Sequence, residues 1–336
     1  MALIKGRMVA DDLVDTSGTD LIYAYGGNDS VTSNTGNDTV YGGLGHDDIY
    51  AIIGDNLIYG GSGNDLIVDY YGRDRIHGDD GDDRVMAFDG VDFVYGGNGN
   101  DDIEGGSGND SLYGGEGSDD LVGDDGDDRL EGGNGSDVLA GRHGEDRLYG
   151  GNADDDLFGD QNDDALYGGE GVDALYGGSG DDFVHAGGGN DVLQGGAGDD
   201  WIRGGQGVDQ LRGGADADRF LFDDGETGIG IGSRDIVHDF ARAEGDVVDL
   251  AWVDARTGVG GDQDFVFIHA NEFTAAGQLR YVGYAGYTVI EGNTGGSLAA
   301  DFQIQLAGWT APLVVGDFAG VSALPPGLDP DFPFGG

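Results

Sequence analysis

The hydrophobic pattern of this chain has a period of nine. An apolar residue recurs at every ninth position, Leu13, Ile22, Val31, Val40, Ile49 and onward to Leu211 and Phe220. With that residue written eighth, the frame runs from residue 6 to residue 221 as 24 nonamers without insertion or deletion. It is plainest at residues 96–104 (GGNGNDDIE), 105–113 (GGSGNDSLY) and 114–122 (GGEGSDDLV). Three residues around the apolar one suffice for a short strand, whose alternation sends the eighth side chain inward and the seventh and ninth outward. The remaining six, GGxGxD, reverse the chain, with glycines at the positive-φ positions of a tight turn. One nonamer is then half a coil and two make a coil of 18 residues. The expected fold is all-β: a right-handed parallel β-roll of about 12 coils, two parallel sheets enclosing a thin aliphatic core, ~50–55 Å long at the usual strand spacing.

After residue 221 the period stops and ordinary apolar alternation takes over. Strands are expected at residues 235–240, 246–252, 264–268, 278–282, 287–291 and 301–306. An open roll exposes a sheet edge at its end, so residues 222–321 are assigned as a capping β domain and residues 322–336 as a Pro-rich tail.

Charge changes the picture most. The chain has 66 acidic against 15 basic residues, a net charge of −51, together with 72 glycines and no cysteine. Such acidity argues against nucleic acid and anionic membranes as partners, and no stretch is long and apolar enough to span a membrane. Disulfides and thiolate metal sites are excluded. Much of the acid lies at the sixth position, which is Asp in 23 of the 24 units and Asn only at Asn56. Alternate units then form two rows. One holds Asp11, Asp29, Asp47, Asp65, Asp83, Asp101, Asp119, Asp137, Asp155, Asp173, Asp191 and Asp209. The other holds Asp20, Asp38, Asp74, Asp92, Asp110, Asp128, Asp146, Asp164, Asp182, Asp200 and Asp218. Carboxylates one strand spacing apart repel. A hard dication between them removes the repulsion, with turn carbonyls such as those of Gly97, Gly99, Gly106, Gly108, Gly115, Gly117, Gly133 and Gly135 completing its oxygen shell. Eleven gaps per row give roughly 22 Ca²⁺, about +44 of charge against the net −51. Asn56 halves the charge of the sites it shares with Asp38 and Asp74, which are expected to be the weakest interior ones.

These nonamers resemble the RTX, or hemolysin-type, repeat GGxGxDxUx of secreted bacterial calcium-binding proteins. The later segment resembles the C-terminal domain of serralysin-type metalloproteases, on SRDIVHDF (233–240), GDVVDLAWVDA (245–255), NEFTAAGQLRY (271–281), ADFQIQLAG (300–308) and VGDFAGV (315–321). That resemblance implies type I secretion from a Gram-negative bacterium without a cleaved N-terminal signal, and residues 1–14 contain no secretory apolar run. The secretion machinery is then a partner during export. A protease is not expected. The six histidines, at 46, 77, 143, 185, 238 and 269, show no i, i+4 pair, HExxH is absent, and so is G-x-S-x-G.

The outward ninth position differs between the two faces. One carries Tyr23, Tyr41, Tyr59, His77, Tyr95, Tyr113, Glu131, Tyr149 and Tyr167; the other carries far fewer tyrosines. Tyr95, Tyr113, Tyr149 and Tyr167 are candidates for binding polysaccharide or a second copy, and equally for a stacking ladder that stiffens the sheet. The reading that results is an extracellular structural or interaction protein that folds on Ca²⁺ after export. The alternative is the secretion and folding module of a larger enzyme, such as a protease, lipase or alginate epimerase.

Overall fold

A computed structural model describes residues 2–223, 226–230, 232–253, 265–267, 270–272, 274–295 and 299–319. The fold is a parallel β-solenoid of the roll type, and among the described residues the one helical element is a 3₁₀ turn at Val315–Asp317. Every eighth-position side chain from Ile22 to Phe220 is fully buried. That single column of aliphatic residues per sheet is the core.

The strands are longer than the sequence suggests. Most run six residues, as in Ser111–Glu116 (SLYGGE) and Arg129–Asn134 (RLEGGN), where three were expected. The reason lies in the first glycine of each unit. In Ser111–Glu116 both Leu112 and Gly114 face inward while Ser111, Tyr113 and Gly115 face out, so the pleat continues through the glycine pair. Only the fourth to sixth residues remain for the turn.

The chain divides into two compact units, Met1–Ser179 and Gly180–Gly336. In the first, each strand pairs in parallel with the strand 18 residues on, as in Tyr95↔Tyr113 and Leu112↔Leu130. The ladder skips the first-position glycine: Tyr95↔Tyr113 is followed by Gly97↔Gly115. The turns need left-handed backbone at two places. The second position adopts φ 118° at Gly115 and the fourth 128° at Gly117. Where glycine is missing the torsion persists, with φ 75° at Asp124 and 78° at Ala153, which indicates that stacking against neighbouring coils imposes it.

In the second unit the repeat strands are followed by longer connections that keep the parallel pairing. Gln210–Ala215 pairs with Ile236–Val237, and Arg219–Asp223 with Val247–Trp252, which in turn pairs with Phe318–Ala319. Gln278–Tyr284, Tyr287–Asn293 and Phe302–Ala307 then form an antiparallel meander, attached through the parallel pair of Ile236–Val237 and Phe302–Ala307. The strands expected around 278–282, 287–291 and 301–306 are therefore present. Of 264–268 only Val266–Phe267 is described as strand, and the tail at 322–336 lies outside the described residues.

Candidate metal sites

Each site is built from one residue type at one position of the repeat. The sixth-position aspartate ends the turn, and its carboxylate folds inward under the coil. Its two oxygens have different fates. Oδ1 accepts the backbone N–H of the aspartate one coil earlier: Asp101 N–H donates to Asp119 Oδ1 at 2.8 Å, Asp119 to Asp137 at 2.9 Å, and Asp110 to Asp128 at 2.7 Å. This ladder fixes every side chain in the row. Oδ2 differs from one aspartate to another. Among the described residues it is buried and without a hydrogen-bond partner at Asp29, Asp47, Asp65, Asp83, Asp101, Asp119, Asp137 and Asp155 on one edge of the first unit, and at Asp74, Asp92, Asp110, Asp128 and Asp146 on the other. In the second unit the same holds for Asp200, Asp209 and Asp218. Asp164, Asp173, Asp182 and Asp191 are buried as deeply.

A column of unsatisfied buried carboxylate oxygens is costly unless something positive occupies it. Burial, opposed by the backbone hydrogen bond, pushes Asp101 up to about 7, Asp110 to about 6, Asp128 to about 8 and Asp155 to about 7. The site therefore prefers a proton or a metal ion to a bare charge, and a donor set of carboxylates with nearby carbonyls suits a hard cation such as Ca²⁺.

The first-position glycine keeps this space open, a role the sequence reading did not assign. A Cβ on Gly105 would lie 2.7 Å from Asp110 Oδ2 and 3.0 Å from the Gly123 carbonyl oxygen. The glycines named from sequence, Gly97, Gly99, Gly106, Gly108, Gly115, Gly117, Gly133 and Gly135, occupy the second and fourth positions, all with positive φ. The carbonyls of Gly97 and Gly99 lie against Gly115 and Gly117 one coil on.

The ends of the rows are closed differently. Asp11 is held by the Arg7 guanidinium and backbone N–H, and Asp20 Oδ2 accepts from the Thr16 hydroxyl at 2.8 Å. Ser33 donates to Asp38 Oδ2. Asp15, Asp20 and Asp38 bring carboxylate oxygens within 4.8 Å of one another, all buried. At the other end, Asp209 N–H donates to Asp235 Oδ1 at 3.0 Å and Asp218 N–H to Asp246 Oδ1 at 3.2 Å. Asp235 and Asp246 thus occupy the sixth position after the nonamer has lapsed, and Asp246 Oδ2 is satisfied by the Ala241 N–H at 2.7 Å. Their signal was present in the sequence as Asp-x-apolar, in Asp235-Ile236-Val237 and Asp246-Val247-Val248. The spacing of 26 and 28 residues hid it.

The tyrosines share one sheet and stack on each other. Ring centroids from Tyr23 through Tyr41, Tyr59, His77 and Tyr95 to Tyr113 are 4.8–5.0 Å apart and within 7° of parallel. Glu131 interrupts the stack, which resumes at Tyr149 and Tyr167, 5.0 Å apart. There the Arg129 guanidinium lies 4.2 Å from the Tyr149 ring centroid while pairing with Glu131.

Among known families, the model of the RTX calcium-binding nonapeptide repeat (4 copies) matches residues 14–49, 41–68, 50–85, 69–103, 86–121, 95–130, 122–157, 149–184 and 185–220. No curated protein matches. Among solved structures, the AlgE6R2 subunit from the Azotobacter vinelandii mannuronan C5-epimerase is 26% identical over 43% of this chain and 91% of its own, with a TM-score of 0.30. The AlgE6R3 subunit of the same enzyme is 24% identical over 47% and 72%, with a TM-score of 0.27.

Proposed function

Because the chain belongs to the family of RTX calcium-binding nonapeptide repeats, we propose that it is an extracellular structural or interaction protein whose roll forms, at neutral pH, only when calcium fills the two aspartate rows. The observation that carries this reading is the set of buried Oδ2 atoms with no partner, repeated coil after coil. The ligands are the sixth-position aspartates, joined by turn carbonyls. When bound, Ca²⁺ supplies the positive charge that lets these carboxylates remain ionised inside the fold. The residues do the rest. The Oδ1 ladder sets the spacing of the carboxylates, the first-position glycines leave room, and the eighth-position column closes the core.

Sites of this open, carbonyl-rich kind take calcium in the ~10⁻⁴–10⁻³ M range of extracellular modules. At cytosolic calcium the rows stay empty, and a chain of net charge −51 repels itself. That supports export in an unfolded form through a type I route, followed by folding outside. The segment after residue 221 closes both rows with Asp235 and Asp246, which supports its role as the cap. No helix among the described residues is long and apolar enough to cross a membrane.

Equilibrium dialysis of the full chain against ~1 mM calcium tests the reading. On the order of 20 bound ions per chain are expected from one ion per gap between successive aspartates. Binding of only two or three would overturn it.

A further inference from the structure

The row that carries Asn56 is short of one carboxylate, and the structure returns that carboxylate from an unexpected place. From residue 96 to residue 177 the first position of every nonamer is glycine. At residue 69 it is aspartate. The strand ladder, which skips the first position where it is glycine, runs through it here, in the pairs Ser33↔Ala51 and Ala51↔Asp69. The Asp69 side chain is fully buried. The Asn56 amide donates to both of its oxygens, at 3.2 and 3.1 Å.

Asn56 also reaches Asp74, whose Oδ1 accepts the Asn56 backbone N–H at 2.6 Å. The Asp74 Oδ2 is buried, at 1% exposure for the residue, and has no partner. Asp92, the next carboxylate of the row, also holds a buried Oδ2 without a partner. Among the described residues no Lys, Arg or His forms an ion pair with any of these three. Two buried carboxylates that share Asn56 as a neutral partner leave negative charge uncompensated at a place where water is excluded.

We propose that Asp69 is a calcium ligand outside the nonapeptide pattern, which with Asp74 forms a cation site at the coil where Asn56 breaks the aspartate row. This rests on the calcium reading of the rows, and it reverses the sequence expectation for the gap shared with Asp74: the charge is relocated from the sixth position of one unit to the first position of the unit one coil on. Asn56 then serves as a neutral spacer. Its N–H donates to Asp74 Oδ1 at 2.6 Å, its Oδ1 accepts the Asp38 N–H at 3.0 Å, and its amide orients Asp69.

Native mass spectrometry of the full chain at saturating calcium counts the ions. Asp69→Asn, which keeps the shape of the side chain, is expected to bind one calcium fewer than the unmodified chain. Asp69→Gly, the family residue at that position, is expected to do the same, and Asn56→Asp combined with Asp69→Gly to restore the original count. An unchanged count in Asp69→Asn, or a count raised by one because the carboxylate had been filling the slot itself, would overturn the proposal. Neither result touches the calcium reading of the rows, which fails only if the unmodified chain takes up few ions. Should Asp69→Gly fold poorly, Asp69→Asn and the double variant still decide.

Discussion

Gly105 and Gly106 are neighbours held for different reasons. Gly106 has φ 104°, a torsion that disfavours any side chain. Gly105 has an ordinary torsion but no room, because its Cβ would press on Asp110 Oδ2 and the Gly123 carbonyl. A Gly→Ala change in an ordinary strand stabilises slightly. Gly105→Ala is instead expected to cost ~1–3 kcal/mol as an overpacking substitution and to weaken calcium binding at Asp110. Chemical denaturation in calcium checks this, and equal or greater stability would contradict it. At this scale the sequence was half legible. Asp at the sixth position and an apolar residue at the eighth announce themselves by recurrence. The spatial duty of the first glycine does not, because it depends on an aspartate five residues later folding back beneath it. Asp69 was hidden for the same reason, since a first-position acid looks like raggedness until the fold brings it against Asn56 and Asp74.

Among the elements, the six-residue strands and the ring ladder belong together. Strands that pair in register at 18-residue spacing place like residues directly above one another, so tyrosines at one ninth position must stack. The stack covers the faces of its interior rings. That leaves hydroxyls and edges for any sugar or second copy, and it favours the stiffening role over an open binding face. Each stacked pair is worth ~0.5–1.5 kcal/mol beyond its buried area. Replacing Tyr95, Tyr113, Tyr149 and Tyr167 together with Ser is expected to lower the melting temperature in calcium by several degrees while leaving the oligomeric state unchanged. Thermal melting with light scattering measures both. A change in oligomeric state at unchanged stability would return the face to the role of an interface. The strand length itself was misjudged from sequence because two adjacent glycines read as turn. Only the inward burial of the first glycine shows that the pleat continues.

For the molecule as a whole, the rows set the response to pH. Without metal, burial raises many of the row carboxyls, pushing Asp110 up to about 6 and Asp128 to about 8. An aspartate in the unfolded chain titrates near ~3.9. The metal-free fold therefore binds protons that the unfolded chain releases. The contribution of these raised groups to its stability is fully present below pH ~4 and is lost as pH rises through about 6 to 8. Calcium reverses the sign, because protons then compete with the ion for the same oxygens. In chelator, β structure should grow on acidification from pH 8 to pH 5; in calcium, the melting temperature should fall over the same interval. Matching trends in both buffers would contradict this.

The most direct test is far-UV circular dichroism of the full chain at pH 7.5, first in excess EGTA and then through a calcium titration. The account predicts an unfolded spectrum in EGTA and a steep, cooperative rise of β signal as calcium approaches the millimolar range, since each ion joins successive coils. A β spectrum already complete in EGTA, unchanged by calcium, would contradict it.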